Sequence, residues 1–391
     1  MLRMPPLEDE RSSVPNSEMG PSQDADDGTM YDMIAFREIV AFYSLQFLKM
    51  NSFIYFLLAT VAAAAPQSST ARPALSLRNI TRIPLEIDSR SLSGPQLGHA
   101  NFPDPTLIWG DGSWNAMSTS SNGKGVPIAT SDDAFTWHLT GSDALPDKGS
   151  WVDPNDQAVW APDLNKNDAG VYVMYYTAHK KGGSHCIGAA TSKTVMGPYK
   201  PQDHPLVCDD ANGGVIDPSG YDDGKDRWLV WKVDGNSKGG ATTCQGGRPS
   251  GNYIPTPIKI QRMARDGLTL LDQPKVILDN EGRNNDGVVE AANLYKVPNG
   301  DFVVFYSAHC FSSDDYDIEY AWSKTIDGKY ENRGILFRSA DHIGIYGPGH
   351  CDIDPNGVNM VFHGREHPND GNAARVLYSA TLHIEGRNIQ H

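Results

Sequence analysis

The chain has 391 residues, 39% hydrophobic and 21% charged, enough to bury a large core in one big domain or two ordinary ones. Its 38 glycines, 26 prolines, 8 Trp, 16 Tyr and 12 Phe favour a turn-rich β protein and argue against a helix bundle. A formal charge of −15 with no Lys/Arg cluster excludes an extended nucleic-acid footprint, which needs concentrated positive charge; a neutral or cationic partner fits better, although an acidic surface mostly serves solubility.

Residues 1–49 contain the acidic, Ser/Pro-rich "PPLEDERSSVPNSEMGPSQDADDG" and read as a non-native or disordered extension. From Met50, "MNSFIYFLLATVAAAAPQSS" carries an apolar run of about a dozen residues that ends in small ones, the form of a secretory signal over 50–65 with Met50 as initiator. A membrane span needs about 20 apolar residues and is the weaker reading. With Met1 as the start, 39–65 offers the alternative of one long apolar anchor. Residues 66–97 form a proline-bearing linker with the chain's single glycosylation sequon, Asn79-Ile80-Thr81. The expectation is a secreted monomer without stable membrane association. In that compartment the five cysteines form disulfides, with Cys186–Cys208 and Cys244–Cys310 as the expected pairs and Cys351 left over.

From residue 98 to 391 one pattern keeps returning: a carboxylate or polar residue beside Pro or Ala, a Gly/Asp/Asn turn, then an alternating aromatic and β-branched strand. It appears in "FPDPTLIWGDGSWNAMSTSS", "WAPDLNKNDAGVYVMYYTAH", "IDPSGYDDGKDRWLVWKVDG", "VEAANLYKVPNGDFVVFYSAH" and "GHCDIDPNGVNMVFHGRE". The marker residues are Asp104, Asp163, Asp217, Glu290 and His350, about 60 residues apart. With about four short strands per copy, this period predicts an all-β, five-bladed β-propeller; an irregular β-sandwich is the alternative. The first strand of each blade lines the central channel, so Asp104, Asp217 and Glu290 converge on one cleft.

Three carboxylates on one wall cannot all titrate normally, because like charges and desolvation push their pKa values apart. Glycoside hydrolysis needs such a separation: one protonated acid for the leaving oxygen, one carboxylate to activate water or attack carbon. Calcium binding and plain turn formation compete for the same residues.

The ordered set "NFPDP", "WAPDL", "VIDPSGYDDGKDRWLVW", "GVVEAANLYK" and "GPGHCDI", over roughly residues 98 to 385, resembles glycoside hydrolase family 43, the arabinanase and xylosidase group of five-bladed propellers. The resemblance implies an inverting hydrolase of plant cell-wall polysaccharide, with Asp104 as general base, Asp217 as pKa modulator and Glu290 as general acid. The two acting carboxyls are then about 6.5–9.5 Å apart. Release of arabinose from α-linked arabinan or arabinoxylan is favoured, with β-xylosidase behind it and a non-catalytic carbohydrate-binding propeller as the reading from another class. Trp160 and Asp163 of "WAPDL" are expected to contact sugar, with a channel-wall role open for Trp160 and a structural one for Asp163. No cofactor is required. A structural calcium is expected near His350, unless that residue is a hydrogen-bonded core histidine. The chain departs from the family in placing Ala291-Ala292 after the acid, where Gly-Pro or Ala-Pro is common. Ile216 and Ala291, where the related invertase group has Arg and Cys, make fructan less favoured. The polar loop Asp234–Asn252 inside the third blade is expected to border the cleft, and His309, His363 and His367 show no zinc spacing in sequence.

Overall fold

The computed structural model describes residues 91–246 and 252–391; the N-terminal extension, the signal segment, the sequon and most of the linker lie outside them. A short strand, β1 (Leu92–Ser93), precedes a first sheet of β2 (Thr106–Gly110), β3 (Ser113–Met117), β4 (Pro127–Ser131) and β5 (His138–Asp143). The second sheet is β6 (Val159–Lys166), β7 (Tyr172–His179), β8 (His185–Ser192) and β9 (Lys200–Pro201). The third is β10 (Val215–Asp222), β11 (Arg227–Val233), β12 (Ile258–Met263) and β13 (Lys275–Leu278). The fourth is β14 (Val289–Lys296), β15 (Phe302–Ala308), β16 (Asp317–Ser323) and β17 (Glu331–Phe337). The fifth holds β18 (Tyr346–Ile353), β19 (Asn359–Arg365) and β20 (Val376–Thr381), and a hairpin of β21 (His383–Glu385) and β22 (Asn388–Gln390) follows.

All pairings are antiparallel, and each of the first four sheets runs in chain order. The fifth takes β1 as its outermost strand, with Leu92 opposite Ala380 and Ser93 opposite Ser379. The propeller therefore begins inside the segment expected to be linker. Joining β1 to the last strands of the propeller in one blade closes the ring between first and last blades.

The alternation of side chains explains why these sequences make blades. Along β7, Tyr172, Met174 and Tyr176 pack with Met117 and Ile128 of the first blade, whereas Val173 and Tyr175 pack with Leu229 and Trp231 of the third. Along β15, Val303 and Phe305 face the fifth blade and Val304 and Tyr306 the third. A strand apolar on both faces at period two suits a sheet sandwiched between two others. The remaining core, Phe102, Leu107 and Ala116 against Val361 and Leu377, joins the first blade to the fifth. Both expected disulfides are present, Cys186–Cys208 and Cys244–Cys310, and Cys351 is free and buried.

Candidate active site

In the second to fifth blades the innermost strand shifts register against its neighbour: between Trp160 and Asp163, Ile216 and Ser219, Glu290 and Asn293, and Gly349 and Asp352. At these shifts, and at the matching place just before β2, one residue takes a left-handed backbone: Asp104, Ala161, Asp217, Ala291 and His350, with φ of 54°, 45°, 54°, 57° and 47°. Such strain on non-glycine residues persists only where surroundings fix it. Here each residue's N–H is captured by a neighbouring blade: Asp104 by His363 Nδ1, Ala161 by Thr119 Oγ1, Asp217 by Thr177 Oγ1, Ala291 by Asp217 Oδ2 and His350 by Ser307 Oγ, at 2.8–3.1 Å.

This register corrects the repeat alignment read from sequence. The counterpart of Asp104 and Asp217 is Ala161 in the second blade and Ala291 in the fourth, because each shift inserts residues that a simple count along the strand does not see. Glu290 stands one step before its ring and Asp163 two steps beyond.

Asp104, Trp160, Asp217, Glu290 and His350 all line one pocket of about 420 Å³, a size suited to a small ligand. Asp163 does not line it. Asp163 accepts hydrogen bonds from Gly220 N–H at 2.8 Å and Asn165 Nδ2 at 2.6 Å, in a second ring with Thr106, Ser219, Asn293 and Asp352 deeper in the channel. Trp160 stacks on His185, 3.9 Å between ring centroids.

The two acidic walls of the pocket differ in electrostatics. Burial opposes ionisation of Asp104, but the Arg375 guanidinium, 2.8 Å from Oδ1, outweighs it and holds the carboxyl well below the usual carboxylate range. Thr119 Oγ1 donates to Oδ2 at 2.5 Å. Burial and Arg375 drive His363 down to about 4. It is therefore neutral, free to accept the Asp104 N–H. Burial likewise lowers the pKa of His350, whose Nδ1 lies 3.6 Å from Asp104 Oδ1.

Across the pocket, burial and then the neighbouring charge of Glu290 push Asp217 well above its ordinary value. Glu290 accepts from Lys232 Nζ at 2.7 Å and from Tyr316 O–H at 3.0 Å. Lys232 is buried, also pairs with Asp234 at 3.1 Å, and has its pKa raised: burial opposes the charge, and Glu290 and Asp234 outweigh it. The ladder explains its placement. Opposite the residue before each shift stand Thr177, Ser307 and His363 in the second, fourth and fifth blades, all of which accept a ring N–H, but Lys232 in the third. A lysine cannot accept, so the Ala291 N–H turns to Asp217 and the ammonium reaches Glu290. Gly349 is required on the far side: a Cβ there would lie 1.9 Å from the Tyr316 ring that reaches the acid.

Arg375, Thr119, Lys232 and Tyr316 were not found in the sequence, nor was Phe311, an exposed aromatic on the pocket wall beneath the Arg375 guanidinium. The blade-three loop does border the pocket, through Asp234, Asn236, Ser237, Cys244 and Gln245.

Residues 98–379 match the model of glycosyl hydrolases family 43. The chain belongs to that family. It is a glycoside hydrolase on a five-bladed β-propeller. It is 28% identical to a Beta-xylosidase of Bacillus subtilis over 59% of this chain and 40% of that protein, so it spans about two fifths of that relative's length. It is 26% identical to a probable arabinan endo-1,5-alpha-L-arabinosidase C of Aspergillus flavus, over 62% of this chain and 76% of that one. Among solved structures, a thermostable family-43 glycoside hydrolase superposes with a TM-score of 0.63 at 25% identity, covering 76% of this chain and 95% of the other. A Bacillus subtilis arabinanase shares the fold, with a TM-score of 0.58 at 23% identity over 74% and 97% of the two chains.

Proposed function

We propose that this family-43 hydrolase is a secreted enzyme that cleaves α-L-arabinofuranosyl linkages of arabinan or arabinoxylan with inversion, using Asp104 as base and Glu290 as acid. The observation that carries the assignment of roles is the electrostatic contrast across one pocket: Asp104 is held ionised by Arg375, while Glu290 faces a carboxyl, Asp217, whose burial and like charge disfavour a second negative charge. In the reaction Asp104 takes a proton from water as its oxygen bonds to the anomeric carbon. Glu290 gives a proton to the glycosidic oxygen as that carbon–oxygen bond breaks. The products are a sugar of inverted configuration and a free hydroxyl, and exchange with solvent resets the two carboxyls. Burial and the charge of Glu290 favour a proton on Asp217, Lys232 opposes it, and the Lys232 and Tyr316 contacts hold the Glu290 carboxyl in place. Trp160 and Phe311 offer flat apolar faces for sugar rings.

The arabinan-cleaving name of the Aspergillus relative supports the substrate, and the Bacillus relative's name supports β-xylosyl cleavage as the second reading. Catalysis needs no cofactor in this scheme. Behind His350 the channel narrows to a space of about 10 Å³ lined by Asp163, Asp217, Ser219, Asn293 and Asp352, in which Asn293 Oδ1 is buried without a partner. These oxygens fit a calcium ion, which would be held by Asp163, Asn293 and Asp352 and would neutralise the two carboxylates.

The test is product analysis on linear arabinan, arabinoxylan and xylan with wild type and Glu290→Gln, following the anomeric configuration by NMR at early times. Arabinose or arabino-oligosaccharides of inverted configuration, lost in the variant, are expected. Retained configuration, or a variant as active as wild type, refutes the assignment.

A further inference from the structure

A group of titratable side chains outside the pocket has no part in this chemistry. His309, Asp317 and Glu319 each place one nitrogen or carboxylate oxygen within 4.8 Å of the others. They stand at the neck of a loop: His309 follows β15, and Asp317 and Glu319 lie two apart on one face of β16. Asp317 is 4% exposed, and its Oδ1 is shut off from solvent with no hydrogen-bond partner. Glu319 is held by the Tyr306 hydroxyl and by Asn285 Nδ2 at 3.4 Å. The nearby Arg333 is committed to Glu281, the Asn285 side chain and the Asp279 carbonyl. Neither Asp317 nor Glu319 has an ion-pair partner among the described residues.

The fold itself does not ask for acids here. Asp317 and Glu319 pair with Ala308 and Tyr306 of β15, and in the second blade the residues that pair with Ala178 and Tyr176 are Cys186 and Gly188. Two buried carboxylates at positions that are uncharged in a sister blade, one with an orphaned oxygen, carry a large desolvation penalty unless something neutralises them.

We propose that His309, Asp317 and Glu319 form a binding site for one divalent cation of the zinc type. The mixed donor set decides the class: an imidazole with two carboxylates suits zinc and its neighbours, whereas calcium seeks six to eight oxygens. Three protein donors and an open position for water complete a four-coordinate site. Donors up to 4.8 Å apart must draw together to reach metal bonds of about 2.0–2.2 Å, and the half-buried His309 imidazole has room to rotate although its backbone N–H is held by the Asn285 and Val288 carbonyls. The Tyr306 and Asn285 bonds orient the Glu319 carboxylate while leaving it lone pairs to ligate.

The consequence reaches the pocket. The segment between His309 and Asp317 carries Cys310, which is bonded to Cys244 of the blade-three loop, Phe311 on the pocket wall and Tyr316, which holds Glu290. A cation at its neck pins these three groups together.

The experiment is metal titration of chelator-stripped, full-length protein with zinc chloride and, separately, calcium chloride, read by native mass spectrometry and by unfolding temperature. Wild type is expected to retain one zinc per chain through gel filtration and to unfold at higher temperature with it. Retention should weaken by about tenfold or more in Asp317→Asn and in His309→Asn; Asn tolerates the left-handed backbone at 309, where φ is 70°. His350→Ala should retain zinc, which separates this site from the channel. Folded wild type that retains no zinc, variants that retain it equally, or calcium binding in place of zinc overturns the proposal, whatever the outcome of the hydrolysis assays.

Discussion

The channel carries two rings of residues, one above the other, and they solve opposite problems. The upper ring, Asp104, Ala161, Asp217, Ala291 and His350, satisfies its backbone N–H groups across blades and leaves carboxylates facing a pocket. The lower ring spends its groups on one another, leaving Asn293 Oδ1 without a partner. Asp352 accepts from Thr106 Oγ1 at 2.9 Å, Leu107 N–H at 2.6 Å and Asn293 Nδ2 at 2.6 Å, and Asn293 also reaches Ser219. The same blade geometry thus yields a reactive surface at one level and a seam between blades two residues further on. An acid's level in the channel, rather than its presence in the repeat, separates chemistry from architecture.

The largest effects that test this contrast are on turnover. Asp104→Asn and Glu290→Gln should each lower kcat/KM on polysaccharide by about 10²–10⁴, while thermal unfolding shows both variants still folded. For Glu290→Gln the loss should shrink on substrates whose leaving group needs no protonation; an equal loss on activated and natural substrates would remove Glu290 from the acid's place. In the lower ring the balance inverts. Asp352→Ala strips one acceptor from several buried donors and should cost about 2–4 kcal/mol of stability, readable by denaturant titration. A variant as stable as wild type would mean that this ring is not the seam described.

The next effect is a shift in pH dependence. Lys232⁺ opposes a proton on the Asp217–Glu290 pair, so Lys232→Met should move the alkaline limb of kcat/KM to higher pH by about one unit. Asp217→Asn removes the carboxyl that holds the pair's proton and should move the same limb to lower pH. Because Lys232 is buried, its loss also costs stability, about 3–5 kcal/mol. A limb that stays in place while activity falls at every pH would reduce Lys232 to a packing role.

These residues also show what the sequence could and could not reveal. Five hairpins, four of them with acids at their starts, were visible because the same short motif recurs every 54 to 73 residues, and the cysteine pairs followed the same order along the chain. The level of each acid was not visible: a register shift is a property of two strands, so Asp163 and Glu290 aligned with Asp104 by spacing although Ala161 and Ala291 hold that place. Arg375 lies 271 positions from the Asp104 it pairs with, in no repeat motif, and only ring closure brings them together. Lys232 hid within an ordinary strand, "RWLVWKV"; a lone lysine amid apolar neighbours was the one signal that could have marked it.

The smallest effect belongs to Asp163. Burial and the charge of Asp352 raise its pKa well above normal, and burial raises Asp352 to about 6. Carboxyls with raised folded pKa values stabilise the fold at pH below the unfolded value of about 4, and lose that contribution as pH climbs through the folded value. Wild type should therefore lose stability as pH rises from about 4 through the folded values of this pair, of which Asp352's is about 6, and Asp163→Asn should flatten that slope. Asparagine keeps an acceptor for Gly220 and never ionises, so the variant should match wild type at pH 4 and exceed it by about 1 kcal/mol at pH 7. Added calcium should shrink the difference by neutralising the wild-type pair. If Asp163→Asn is instead less stable than wild type at pH 7 without calcium, Asp163 is ionised there and its charge stabilises the seam, contrary to the raised value that burial and Asp352 give it.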